Sequence, residues 1–81
     1  MQLDILTPEE KVFSGEVDHV QLPGMDGLFG VLNNHAPMIA ALSEGKLAYK
    51  VGGTISVLNI KHGIVEILQN KIAVLTEGVL A

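Results

Sequence analysis

Lys46–Ile60, KLAYKVGGTISVLNI, decides the fold. In its first half Leu47, Tyr49 and Val51 fall on one side of an extended chain and Lys46, Ala48 and Lys50 on the other, the period-two pattern of a strand with a core side and a water side. Gly52-Gly53 follows, a dipeptide that accepts positive φ at both positions and so suits a two-residue hairpin. The second half, Thr54–Ile60, is β-branched and apolar enough to return antiparallel.

Outward from this hairpin the same punctuation recurs. Downstream, a turn at Gln69-Asn70 separates Ile64–Leu68 from Lys71–Thr76, Asn being a residue that tolerates the left-handed conformation. Upstream, Leu3–Leu6 stops at Thr7-Pro8, Lys11–Phe13 at Ser14-Gly15, and Val17–Leu22 at Pro23-Gly24. Leu28–Leu32 and Pro37–Leu42 come next. The second of these has some helical propensity, but between Pro37 and the break at Ser43-Glu44-Gly45 it is too short for an independent helix, and it reads as a buried strand. Roughly eight to ten short strands with no long 3.6-residue period predict an antiparallel β-sandwich or barrel formed by one domain, residues 1–81.

Bulk properties narrow the function classes. At 81 residues the core is small, yet 48% of the chain is hydrophobic and only three residues are aromatic, so the apolar content is aliphatic and exceeds what such a core hides. Part of it is expected to face a partner. Five lysines, no arginine and nine carboxylates give a net charge of −4, the wrong sign for holding a phosphate backbone, which argues against nucleic acid as a partner. No cysteine is present, so disulfides and thiolate metal sites are excluded. No apolar run approaches the roughly 18 residues that span a bilayer.

Within this frame one segment stands out: Leu22–Pro37, LPGMDGLFGVLNNHAP. Gly24, Gly27 and Gly30 recur every three residues among bulky side chains, which predicts positive φ or close backbone approach at several points. The spacing is not G-x-G-x-x-G and no helix follows, so the segment is not a phosphate cradle. A shaped backbone without chemistry reads as a contact surface. His35, in Asn34-His35-Ala36-Pro37, either closes a turn by hydrogen-bonding the backbone or is presented to a partner.

Enzymatic and metal readings find little support. His19, His35 and His62 lie on separate predicted elements and match no ligand spacing, so no metal or cofactor is expected. Ser14, Ser43 and Ser56 are outside any G-x-S-x-G elbow, and the adjacent Glu9-Glu10 reads as a solvated turn. No catalytic residue is expected.

Taken together, LDILTPEEKVFSGEVDHVQLPG (3–24), DGLFGVLNNHAPMIAAL (26–42), the glycine hairpin after Gly45-Lys46-Leu47, and HGIVEILQNKIAVL (62–75) resemble the epsilon subunit of the F-type ATP synthase. The match covers nearly the whole chain, and its most specific parts are Val12–Val17, Leu22–Leu32 and His35–Pro37. The resemblance implies a ten-stranded antiparallel β-sandwich, a flattened barrel, in the rotating central stalk of the alpha, beta, gamma, delta, epsilon sector. It is non-catalytic and couples rotation of the c-ring to ATP synthesis. By position, Gly24, Met25, Asp26, Gly27, Leu28 and Phe29 correspond to the part that touches the c-ring, and Thr7, His35, Met38 and Ala40 to the part that faces gamma. The implied location is peripheral, on the cytoplasmic face of the bacterial inner membrane or its organellar equivalent, with the membrane reached only through the ring. The alternative outside this class is a stand-alone β-sandwich that binds a small ligand or peptide.

This chain departs from the family pattern at four points. Leu28 occupies a place that is often acidic, so the ring contact is expected to rest more on burial than on charge. Asn33-Asn34 stands for a common Pro-Gly, and His62 for the first glycine of a usual pair. The sequence also stops at Ala81, straight after its last strand, where many members continue into a helical hairpin that restrains ATP hydrolysis. Coupling without hairpin-type restraint is the expectation for these residues.

Overall fold

Lys46–Ile60 folds as the sequence predicts, in a computed structural model that describes residues 1–80. Strand β6 (Gly45–Val51) and strand β7 (Thr54–Ile60) pair antiparallel around Gly52-Gly53, with Val51 opposite Thr54. Only Gly52 has positive φ, at 59°, the pattern of a type II′ turn rather than of one with both central residues left-handed. Leu47 is fully buried, Tyr49 is half-buried, and Val51 at the strand end is exposed.

The described residues hold eight further strands: β1 (Gln2–Leu6), β2 (Lys11–Glu16), β3 (His19–Gly24), β4 (Gly27–Val31), β5 (Met38–Leu42), β8 (Gly63–Leu68), β9 (Lys71–Thr76) and β10 (Val79–Leu80). They form a single curled sheet in the order β10-β7-β6-β3-β5-β8-β9-β1-β2, with β4 added to β3. Curling lets inward side chains of both halves meet, so that Leu3, Val20, Leu22, Leu47, Ile60, Val65 and Ile72 share one fully buried core. The pairing is antiparallel throughout except that β1 and β9 run parallel, Leu3 beside Ile72 and Ile5 beside Val74. Strand β3 serves both halves: His19–Gln21 pair with β6, while Gly24 pairs with Leu42 of β5.

Three sequence expectations are corrected by local packing. Ser14-Gly15 is not a break but lies inside β2, because the Ser14 hydroxyl finds Asp4 across the pair and the Phe13 ring covers the space a Gly15 side chain would need. The break falls instead at Val17-Asp18, where the Asp18 carboxylate accepts the Gly52 N–H at 2.9 Å. Pro23-Gly24 likewise belongs to β3. Proline is tolerated there because β3 changes partner from β6 to β5 at that point, so no ladder donor is required. Strand β5 is buried on one side only, with Ile39 and Ala41 exposed.

Strands β2 and β6 share no ladder but meet through side chains. The rings of Phe13 and Tyr49 meet there with centroids 4.4 Å apart and planes tilted by 36°, an arrangement worth about 1 kcal/mol beyond its buried area. On the outer side of β1 and β2, Asp4 Oδ1 accepts hydrogen bonds from Ser14 Oγ at 2.6 Å and Gln2 Nε2 at 3.1 Å, with Lys71 Nζ 3.8 Å from Oδ2.

The Ser14 bond first, then the Gln2 bond and the charges of Lys71 and Lys11, hold the Asp4 carboxyl below its ordinary value. The unfolded chain therefore takes up this proton first. The contribution is fully present above the unfolded value of about 3.9 and is lost as pH falls from there through the folded value. In urea titrations across that range, Asp4→Asn is expected to flatten the acid-side fall in midpoint. An unchanged profile would show that Asp4 is not a coupled group.

Candidate docking surfaces

The glycine-rich segment forms the β3–β4 hairpin. Gly24 pairs with Gly27 and the chain turns through Met25-Asp26, so all six residues Gly24–Phe29 lie on one projecting tip. Of the three glycines, only Gly27 has positive φ, at 126°, whereas Gly24 and Gly30 allow close approach: an added Cβ would lie 2.8 Å from the Gly27 carbonyl oxygen and 3.0 Å from His19 Nε2 respectively. The tip is tied to β5 by Met25 N–H donating to the Ala41 carbonyl at 3.1 Å. Met25 and Leu28 are 61% and 64% exposed, Asp26 is exposed, and Phe29 turns inward against the core. Between tip and β5 runs a groove of about 460 Å³ lined by Met25, Leu28, Phe29, Met38, Ile39 and Ala41.

A second surface spans the outer side of β5, β8, β9 and β1. The strand registers align Ala41, Ile64, Leu75 and Leu6 in one row and Ile39, Glu66, Ala73 and Asp4 in the next. Ile39 is 71% exposed, and Ile64, Leu68 and Leu75 are each nearly half exposed. At one end the row opens into a shallow, largely apolar hollow of about 510 Å³ between Leu6, Thr7, His62, Ile64 and Leu75. This is the unhidden aliphatic content that composition predicts.

The residues Thr7, His35, Met38 and Ala40 do not form one patch. Met38 and Ala40 are half-buried and pack on the core beside Ile67 and Val65, so their outward neighbours are Ile39 and Ala41. Thr7 and His35 border the outer surface at opposite ends. Thr7 follows Leu6, the partner of Leu75, while His35 precedes Met38, whose partner Ile67 adjoins the Gln69-Asn70 turn. His35 Nδ1 lies 2.7 Å from the Ala36 carbonyl, which only accepts, so the ring donates there and closes its turn. Sequence reading passed over Ile39, Ile64, Leu68 and Leu75. Apolar residues at both parities of MIAAL and GIVEIL are the signal that these strands carry an apolar outer face besides their core face.

The family departures have local explanations. Asn34 takes φ of 63°, a conformation that asparagine accepts, and its N–H donates to Asn70 Oδ1 at 2.8 Å, which joins two turns. The His62 side chain is exposed while its carbonyl accepts the Glu77 N–H at 3.0 Å, so that position does not require glycine. Gly63 has no such latitude, since an added Cβ would collide with the Leu75 carbonyl oxygen. Among the described residues, no group of three or more His, Asp or Glu side chains is placed to hold a metal ion.

Fold and surface together define a β-sandwich module whose outward features include an apolar tip and an apolar sheet face. Residues 1–81 match the family described as the ATP synthase Delta/Epsilon chain, beta-sandwich domain, and the chain belongs to it. A protein named ATP synthase epsilon chain from Leptospira interrogans is 40% identical over 77 residues, covering 95% of this chain and 61% of that relative. One of the same name from Caulobacter vibrioides is 43% identical over 77 residues, covering 95% of this chain and 90% of the relative. The chain thus spans about three fifths of the Leptospira protein and most of the Caulobacter one. The fold recurs in the Euglena gracilis mitochondrial ATP synthase, seen by cryo-EM with its c-ring, at a TM-score of 0.90 and 21% identity, covering 96% of this chain and 51% of that one. It recurs also in the central stalk and c-ring structure from Tetrahymena thermophila, at a TM-score of 0.84 and 12% identity, covering 98% and 64%.

Proposed function

We propose that this chain is the epsilon-type rotor subunit of an F-type ATP synthase central stalk, bridging gamma and the c-ring so that ion-driven rotation reaches the catalytic head. It performs no bond chemistry of its own. The tip Gly24–Phe29 seats on the ring, and the outer face of β5, β8 and β9, bordered by Thr7 and His35, seats on gamma. Attachment to the membrane is indirect, through the ring, on the cytoplasmic side in a bacterium. These residues work as one domain that transmits torque.

The observation that carries this reading is that, in a member of this family, Met25 and Leu28 on the tip and Ile39, Ile64, Leu68 and Leu75 on the outer sheet face are exposed aliphatic side chains gathered on two surfaces and not around a polar cavity. Torque transfer needs broad shape-complementary contact of that kind. Leu28 makes the ring contact drier, while Asp26 offers a charge that fixes register more than affinity. A free-standing ligand module would need convergent polar groups in a pocket, and the 510 Å³ hollow is instead a shallow continuation of the apolar face.

The test is Asp26→Lys combined with Leu28→Asp. Both side chains are exposed on the tip, so the isolated chain is expected to fold normally while proton-driven ATP synthesis in membranes carrying the variant falls several-fold. Wild-type synthesis rates would count against a ring contact at the tip.

A further inference from the structure

Strand β7 has an open edge. Among the described residues, β10 covers only Ile60 and Asn59, and no described strand pairs with Thr54–Val57 on that side. Val51 and Thr54 close a two-residue hairpin and so form a hydrogen-bonded pair, after which pairs alternate, so that Ile55 and Val57 are non-hydrogen-bonded toward β6. Their N–H and C=O groups therefore point to the open edge. The Lys61 N–H, in the same phase of the strand, does point outward, donating to the Gly78 carbonyl at 2.9 Å.

Native sheets normally defend such an edge with charge, proline, bulges or brevity. Strand β2, another edge, carries Lys11 and Glu16 and an irregular register near Leu6. Strand β7, TISVLNI, carries no charge and no proline, and Ile55 and Val57 are 65% and 53% exposed on its outer face.

We infer that the free chain pairs with a second copy of itself through antiparallel β7–β7 contact about a two-fold axis at Ser56. Ser56 lies midway between Ile55 and Val57, the two residues whose backbone groups point outward, so this register pairs both of them. Ile55 of one copy then faces Val57 of the other as a hydrogen-bonded pair, twice over, which satisfies the outward groups of both residues with four hydrogen bonds. The same alignment gathers four aliphatic side chains on one face. Like charges do not meet: the row running outward from Lys50 passes Ile55, then Val57 and Ala48 of the second copy. A seam this short buries less than the roughly 1,000 Å² of a stable interface, so the dimer is weak and reversible, with a dissociation constant on the order of 100 µM. The edge lies toward the Gly52 turn, away from the Met25 tip, and the inference does not depend on the rotor assignment.

Two variants test it on the full chain. The sequence has no cysteine, so Ser56→Cys introduces a single thiol. At the two-fold axis the paired Cα atoms stand about 4.5 Å apart, within disulfide range, and mild oxidation at about 100 µM chain is expected to give mostly covalent dimer. Val57→Pro removes an N–H that faces only the open edge and leaves the β6 ladder intact. In sedimentation equilibrium from about 10 µM to 1 mM, the wild-type average mass should climb from one chain toward two, and that of Val57→Pro should stay at one. A wild-type monomer throughout, a mass rising past two chains, Val57→Pro associating like wild type, or Ser56→Cys failing to cross-link would each overturn the inference. If Val57→Pro does not fold, as judged by its circular dichroism, the wild-type series and the cross-link decide between the two outcomes.

Discussion

Gly63→Ala should cost about 3 kcal/mol of stability and lower the melting temperature by about 15 °C. The reason is steric and specific to this site. Gly63 begins β8 between Leu42 of β5 and Thr76 of β9, and a methyl group there meets the Leu75 carbonyl oxygen and lies 2.9 Å from Thr76 Cα. Both obstacles are backbone, so no rotamer change relieves them. The surrounding corner cannot shift freely either. The buried Thr76 hydroxyl lies 2.9 Å from the Lys61 carbonyl oxygen, the nearest of three acceptors, while Glu77 N–H donates to His62. A chain of this size holds roughly 4 to 12 kcal/mol in all, so the loss is a large share. Gly53→Ala is the control, since nothing lies within 4 Å of a Cβ there and its φ is not positive. Equal melting temperatures for the two variants would contradict the account of the corner.

The second large effect concerns binding. Ile39→Lys combined with Ile64→Asp should leave the melting temperature within a few degrees of wild type but weaken association with gamma about 100-fold. Both residues point outward on the sheet, and the new lysine faces Glu66, its cross-strand partner, so the isolated fold is not strained. In a closed interface the same two charges lose their water without gaining partners. A parallel change at Met38 would not be diagnostic, because Met38 packs on the core and its replacement alters the fold as well as the surface.

Local structure in this protein was legible where two signals agree. Thr54–Ile60 and Lys71–Thr76 are strands over the residues their composition indicates, each entered from a turn whose residues tolerate left-handed backbone. At Gln69-Asn70 both residues adopt positive φ, 50° and 60°, where only the asparagine announced it. Strand β10 has two residues and no periodicity to read. The parallel pairing of β1 with β9 joins segments at opposite ends of the chain, and nothing local to either announces it. Ser14-Gly15 misleads because small residues serve cross-strand packing as readily as turns.

The surfaces follow the same logic. The tip was visible as a cluster of glycines around exposed bulky residues, and hairpin closure at Gly24 and Gly27 gathers it without help from distant chain. The sheet face was hidden because MIAAL is apolar at both parities, so which of Met38 and Ile39 points outward is decided only by register with β8. Composition signalled that such a face exists, while its location waited on topology.

The most direct measurement is calorimetric titration of the gamma subunit encoded with this chain. The account predicts saturable binding at one chain per gamma, strongly reduced by Ile39→Lys with Ile64→Asp and little changed by Val57→Pro at the opposite edge. Absence of binding, or binding that the two outer-face charges leave unaltered, would contradict it.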